Sequence, residues 1–99
     1  MIQVRISEDA LDDLQLGFLL YEAQQSGLGD YFVACLRADI EGLRVHAGTH
    51  RVVHRDFHRL LSKVFPYGVF YTMEAECAVI WAVIDLRRDP EWILRRLNN

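Results

Sequence analysis

The stretch Cys77–Ile84, CAVIWAVI, constrains the fold more than any other part of the chain. It carries no charge, glycine or proline and is rich in β-branched and aromatic residues, so it reads as a strand. Strict alternation puts Val79, Trp81 and Val83 on one face and Ile80, Ala82 and Ile84 on the other. A strand that is apolar on both faces is a central strand covered twice. With 99 residues the chain has room for a single domain, residues 1–99, built on one core.

Two more strands are expected before it. Asp56–Ser62 (DFHRLLS) is the first, followed by a connection through Lys63, Val64 and Phe65. Pro66–Met73 (PYGVFYTM) is the second, and its proline is tolerated as a first strand residue because no ladder donor is needed there. Glu74, Ala75 and Glu76 make a polar turn into the central strand. At the start of the chain, Ile2, Val4 and Ile6 alternate with polar residues and predict a short half-buried strand.

Between these strands lie two helices. Ser7 is placed to cap the first, with Glu8 and Asp9 at the positive end of its dipole. Leu11, Leu14, Phe18 and Tyr21 repeat at helical spacing, and Leu16, Leu19, Leu20 and Ala23 widen the apolar stripe beyond one narrow face. The helix is expected to end near Ser26, with Gly27 as a left-handed cap. Asp30 is read as the cap of a second, antiparallel helix whose inner stripe is Phe32, Leu36, Ile40 and Leu43 and which ends at Gly48. The first helix carries more apolar surface than a two-layer domain requires, and the second face of the central strand has no obvious cover. Both features point to a partner. At the other end, Asp89 and Pro90 start a last helix that carries Arg95 and Arg96 in its final turn. The sheet and helix pair look complete by Ile84, so removing residues from Glu91 onward is expected to affect activity more than folding.

The composition, 52% apolar and 25% charged, is that of a globular chain rather than a disordered one. No apolar run approaches the roughly 18 residues of a membrane span. The first residues turn acidic too soon for a signal or transit peptide, and a cytoplasmic location is expected. The net charge of −3 hides an asymmetry: residues 1–50 carry eight acids and three bases, residues 51–99 eight bases and six acids. His46, His50, His54 and His58 recur every four residues, but Gly48, Thr49, Val52 and Val53 argue against one helix there. These are read as loop histidines, with no metal and no cofactor. Cys35 and Cys77 are read as buried small hydrophobes.

Phe65-Pro66-Tyr67-Gly68-Val69-Phe70-Tyr71, followed by Arg87-Arg88-Asp89-Pro90-Glu91-Trp92, resembles the RelE/ParE toxin superfamily, as do Arg59 on the preceding strand and Ala82-Val83-Ile84 before the basic corner. The resemblance spans nearly the whole chain. It implies an α+β domain of order β-α-α-β-β-β-α, with a helical hairpin packed on a mainly antiparallel sheet. It also implies a toxin of a type II toxin–antitoxin pair, of the plasmid stabilisation type, held inactive by a cognate antitoxin. The antitoxin would lie over Leu14, Phe18, Tyr21 and Trp81. Of the two branches, the ending favours the ParE-like one, which poisons DNA gyrase and needs no catalytic set. Arg87, Arg88, Trp92, Arg95 and Arg96 would then meet the target. The RelE-like branch cleaves messenger RNA on the ribosome and would use Arg59, Lys63, Arg87 and Arg88, with His54 or His58 for proton transfer. Many relatives have a histidine where this chain has Asp85, and an acidic pI of about 5.7 suits a phosphate-binding protein poorly. A plain protein-interaction module is the remaining alternative.

Overall fold

The computed structural model describes all residues, 1–99. Its elements are β1 (Gln3–Ile6), α1 (Glu8–Gln24), α2 (Leu28–Glu41), the short α3 (Leu43–His46), β2 (Val52–His54), β3 (Phe57–Leu61), β4 (Tyr67–Glu74), β5 (Cys77–Asp85) and α4 (Pro90–Asn98). The expected α+β order holds, with two changes: the second helix, expected to run to Gly48, breaks at Gly42 into α2 and α3, and Val52–His54, expected as loop, forms a short outer strand. The sheet order is β1-β5-β4-β3-β2, with β1 parallel to β5 and all other pairs antiparallel.

The helix pair follows the apolar periodicity. Phe32, Leu36 and Ile40 on α2, and Leu43 just beyond it, are all buried. On α1 the buried line is Ala10, Leu14, Gly17 and Tyr21. Gly17 lets α2 come close, because a Cβ there would overlap the Phe32 ring. Ser7 caps α1 as expected, its Oγ accepting the Ala10 N–H at 3.1 Å. The turn between the helices differs from expectation. Gly27 is left-handed (φ +89°), but it precedes α2 instead of ending α1. Asp30 already lies inside α2, and the first N–H groups of that helix are met from α1. Glu22 accepts the Gly27 N–H at 3.0 Å and the Gly29 N–H at 2.9 Å. A carboxylate at the N-terminal end of a helix also complements its dipole.

The expected faces of β5 are corrected by a bulge. Phe70 pairs with Ala82 and Tyr71 with Ile80, so Trp81 has no partner on β4. One extra residue reverses the side-chain parity beyond it. Ile80 and Val83 therefore both face the helix pair, with Tyr67, Val69 and Tyr71. Ala82 and Ile84 face the other way and pack with Phe70 and Leu97. Trp81 is left 40% exposed, its indole N–H donating to Thr72 Oγ1 at 2.8 Å.

The second cover of the central strand, for which a partner was expected, is in part the chain's own last helix. Leu97 is buried there, and Trp92 and Ile93 pack beside it. Residues from Glu91 onward, whose removal was expected to affect activity more than folding, thus contribute Leu97 to the core. The two cysteines are free and half-buried, not buried.

Gly17→Ala gives a test of the helix contact whose sign is not obvious. Alanine in a helix interior is favoured over glycine by about 1 kcal/mol, whereas overpacking a core costs roughly 1–3 kcal/mol. Because Phe32 is fully buried, the ring has nowhere to retreat. Urea denaturation is expected to show a net loss of stability; a gain would mean that the helices separate freely at this point.

Candidate functional site

The turn from β5 into α4 carries two exposed cations, Arg87 and Arg88. Asp85, the last residue of β5, accepts from Arg87 three times: from the backbone N–H at 2.9 Å, Nε at 3.0 Å and a terminal nitrogen at 2.8 Å. This fork holds the Asp85 carboxyl below the ordinary aspartate range and raises Arg87 further. The Asp85–Arg87 pair thus presents a planar, charge-compensated group rather than a bare cation. Arg88 lies over the Trp92 ring, 4.0 Å from its centroid, in a cation–π contact. Asp89 caps the helix by accepting the Glu91 N–H at 3.1 Å, and Pro90 fills the first turn.

Beside this corner a cleft of about 180 Å³ opens between α1 and α4, lined by Leu16, Leu20, Tyr67, Asp85, Arg88 and Trp92, among others. Tyr67 is its buried floor. Burial, followed by the proximity of Tyr21 and Asp85, pushes its hydroxyl up to about 12, with Arg87 and Arg88 pulling the other way. It is therefore a neutral hydrogen-bonding group at physiological pH and not a proton acceptor. What the cleft offers is aliphatic surface next to Arg88.

The other cations expected at this corner have different tasks or positions. Arg96 makes a bidentate pair with Asp13 at 2.8 and 2.7 Å, and its side chain is only 21% exposed. Arg95 is exposed and loosely paired with Glu91 at 3.9 Å. Lys63 sits at the far side, where its N–H points to Asp39 at 3.4 Å.

Of the residues named for RNA cleavage, Arg59 and His58 lie on opposite faces of β3. Arg59 shares the face of its register partner Phe70, and its Cγ lies close to Gly68. His58, the preceding residue on the strand, points to the opposite face, where it stacks on Tyr71 with centroids 5.0 Å apart. His54 is bound through Nε2 to Asn98 Oδ1 at 2.7 Å. No three His, Cys, Asp or Glu side chains come close enough to share a metal ion.

Of the side chains named for antitoxin contact, Leu14 and Tyr21 lie in the core and Phe18 is half-buried. Leu11 of α1 is 43% exposed, and leucines 16, 19 and 20 are each about half exposed. They were visible in the sequence as the widening of the helical stripe. Tyr67 was not, because a buried strand tyrosine reads as core until its neighbours are known.

No family model matches the chain, and no curated protein matches it significantly. Its architecture does have a solved counterpart. A chain described as part of the chromosomal ParDE TA system from P. aeruginosa superposes with a TM-score of 0.79 at 12% identity, over 86% of this chain and 96% of that one. The chain thus shares the fold of that ParDE-system chain.

Tyr67 supplies a pH-dependent test. Its folded value near 12 lies above the unfolded value of about 10, so the folded state holds the proton more tightly. The corresponding stabilisation is full below about pH 10 and is lost as pH rises through 12. Alkaline unfolding is expected to shift to higher pH in Tyr67→Phe than in the wild type; identical transitions would show that the hydroxyl is not desolvated.

Proposed function

We propose that this chain is the toxin of a type II toxin–antitoxin pair of the ParE-like kind, that it arrests growth in the cytoplasm by poisoning DNA gyrase, and that a cognate antitoxin neutralises it. The observation that carries this reading is the pairing of half-open leucines on α1 with the Arg88–Trp92 corner, on a fold shared with a chain of a ParDE system. An antitoxin segment that covers Leu16, Leu19 and Leu20 would remove apolar surface from water and set its acidic side chains against Arg88. Ordering on the toxin would cost such a segment part of the interaction energy. The target would meet Arg87, Arg88, Trp92 and Arg95. Arg96 belongs to the scaffold.

The separation of His58 from Arg59, and the compensation of Arg87 by Asp85, weigh against messenger RNA cleavage. One observation favours that alternative. The Arg59 Nε–H is buried without an acceptor, and an RNA phosphate could supply one. If translated messages are cut and Arg59→Ala stops the cutting, the gyrase reading is wrong.

Expression of the chain in a bacterial host is expected to arrest growth, and co-expression of the protein encoded next to it to relieve the arrest. With purified gyrase, cleaved DNA–gyrase complexes should accumulate. The double change Arg88→Glu, Trp92→Ala should weaken that accumulation about thirtyfold, which corresponds to a hot-spot loss of roughly 2 kcal/mol. Its thermal unfolding measures any cost to the fold. Harmless expression of a folded chain would instead mark a simple interaction module.

A further inference from the structure

The connection from α3 to β2, residues 47–51, has no regular structure, and polar contacts fasten it to the sheet. Its anchor is Tyr71, whose ring is fully buried in β4. The Tyr71 oxygen accepts the Gly48 N–H at 2.9 Å and lies 2.6 Å from Nδ1 of His50. The Tyr71 O–H is buried and has Nδ1 of His50 as its acceptor within reach, so the phenol donates to that nitrogen. This fixes His50 as the Nε2–H tautomer with an accepting Nδ1. On the ring face, His58 stacks at an interplanar angle of 13° and donates its Nδ1–H to the His50 carbonyl at 2.8 Å. One imidazole thus accepts from the sheet, while the other donates to the strap.

We propose that residues 47–51 are a strap released by mild acid, with His50 as the proton acceptor that opens it. A proton on Nδ1 takes away the acceptor of the Tyr71 O–H and leaves that buried phenol proton without a partner, a loss that outweighs an ordinary hydrogen bond. It also adds a cation to a crowded group. His46 on α3, His58 on β3 and Lys63 after β3 all lie near it. Asp39 of α2 is the one carboxylate that lines the same cleft. Asp39 is already engaged by the Ser62 hydroxyl at 2.7 Å and more weakly by the Lys63 N–H.

The electrostatics agree with the geometry. Burial first, then His58 and His46, hold His50 below the ordinary histidine value. Burial raises Tyr71, so the phenol keeps its proton throughout. With the folded value of His50 below the unfolded value of about 6.5, the strap's contribution is complete above that pH. It is lost as pH falls from there through the folded value. Release reaches the outer edge of the sheet, because the Arg51 carbonyl accepts the Arg59 N–H at 3.0 Å next to the β2–β3 pairing.

The test is an NMR titration of the full chain from about pH 7.5 to about pH 5, spanning the ordinary histidine range. The Gly48 amide and the His50 ring are expected to follow one common transition with a midpoint below about 6.5. In His50→Gln, whose side-chain oxygen accepts without titrating, the Gly48 amide should stay in place over the same range. A Gly48 amide that stays put while wild-type His50 titrates overturns the proposal, as does one that moves equally in the variant. If His50→Gln does not fold, the wild type still decides. Exchange protection of the Gly48 amide, corrected for intrinsic rate, should fall on acidification, and unchanged protection refutes the strap.

Discussion

The Asp13 carboxylate holds together the three elements on which the rest of the molecule depends. β1 pairs with β5 only as far as Ile80, and beyond that point the edge of β5 needs another source of acceptors. Asp13 supplies it, taking the Val83 N–H at 2.9 Å with one oxygen while both oxygens hold Arg96. A helix side chain thus continues the work of a strand that has ended. The same carboxylate ties the last helix to the first one just past the Trp81 bulge. Without that tie, the reversal of parity at Trp81 would present Ala82 and Ile84 to water, since α4 is what covers them.

Much of this fold could be read from the residues alone, because apolar periodicity is a local signal. The inner stripe of α2, the last three strands and the Ser7 and Asp89 caps all rest on side chains within a turn or two of each other, whereas on α1 Leu11 is exposed and Ala10 and Gly17 are buried instead. The departures share the opposite property. Nothing within CAVIWAVI marks Trp81 as the extra residue, since the bulge is defined only against β4. Asp30 is a sound cap by its identity, but the helix starts two residues earlier, where Glu22 of the preceding helix takes the Gly27 and Gly29 N–H groups. Val52–His54 is too short to show a period and owes its extended form to β3.

The cationic corner divides in the same way. The Asp85–Arg87 fork and the Arg88–Trp92 stack join residues a few positions apart, so the cluster was visible in the sequence. Arg96 could not be sorted from its neighbours, because its partner lies near the other end of the chain. Its removal from the free set leaves a smaller and more directional surface than a count of arginines suggests. Beside that surface, α1 keeps its leucines half open, although the chain had the means to cover its other apolar face with α4.

The carboxylate of Glu22 has a bearing on the order in which the chain organises itself. It joins two helices through residues five and seven positions away, whereas Gln3 must wait for Cys77 before its strand has a neighbour. Closing a short loop costs less chain entropy than closing a long one. During synthesis the helical hairpin can therefore assemble while most of the sheet is still unmade. The first strand and the last helix are placed only after β5 has been made.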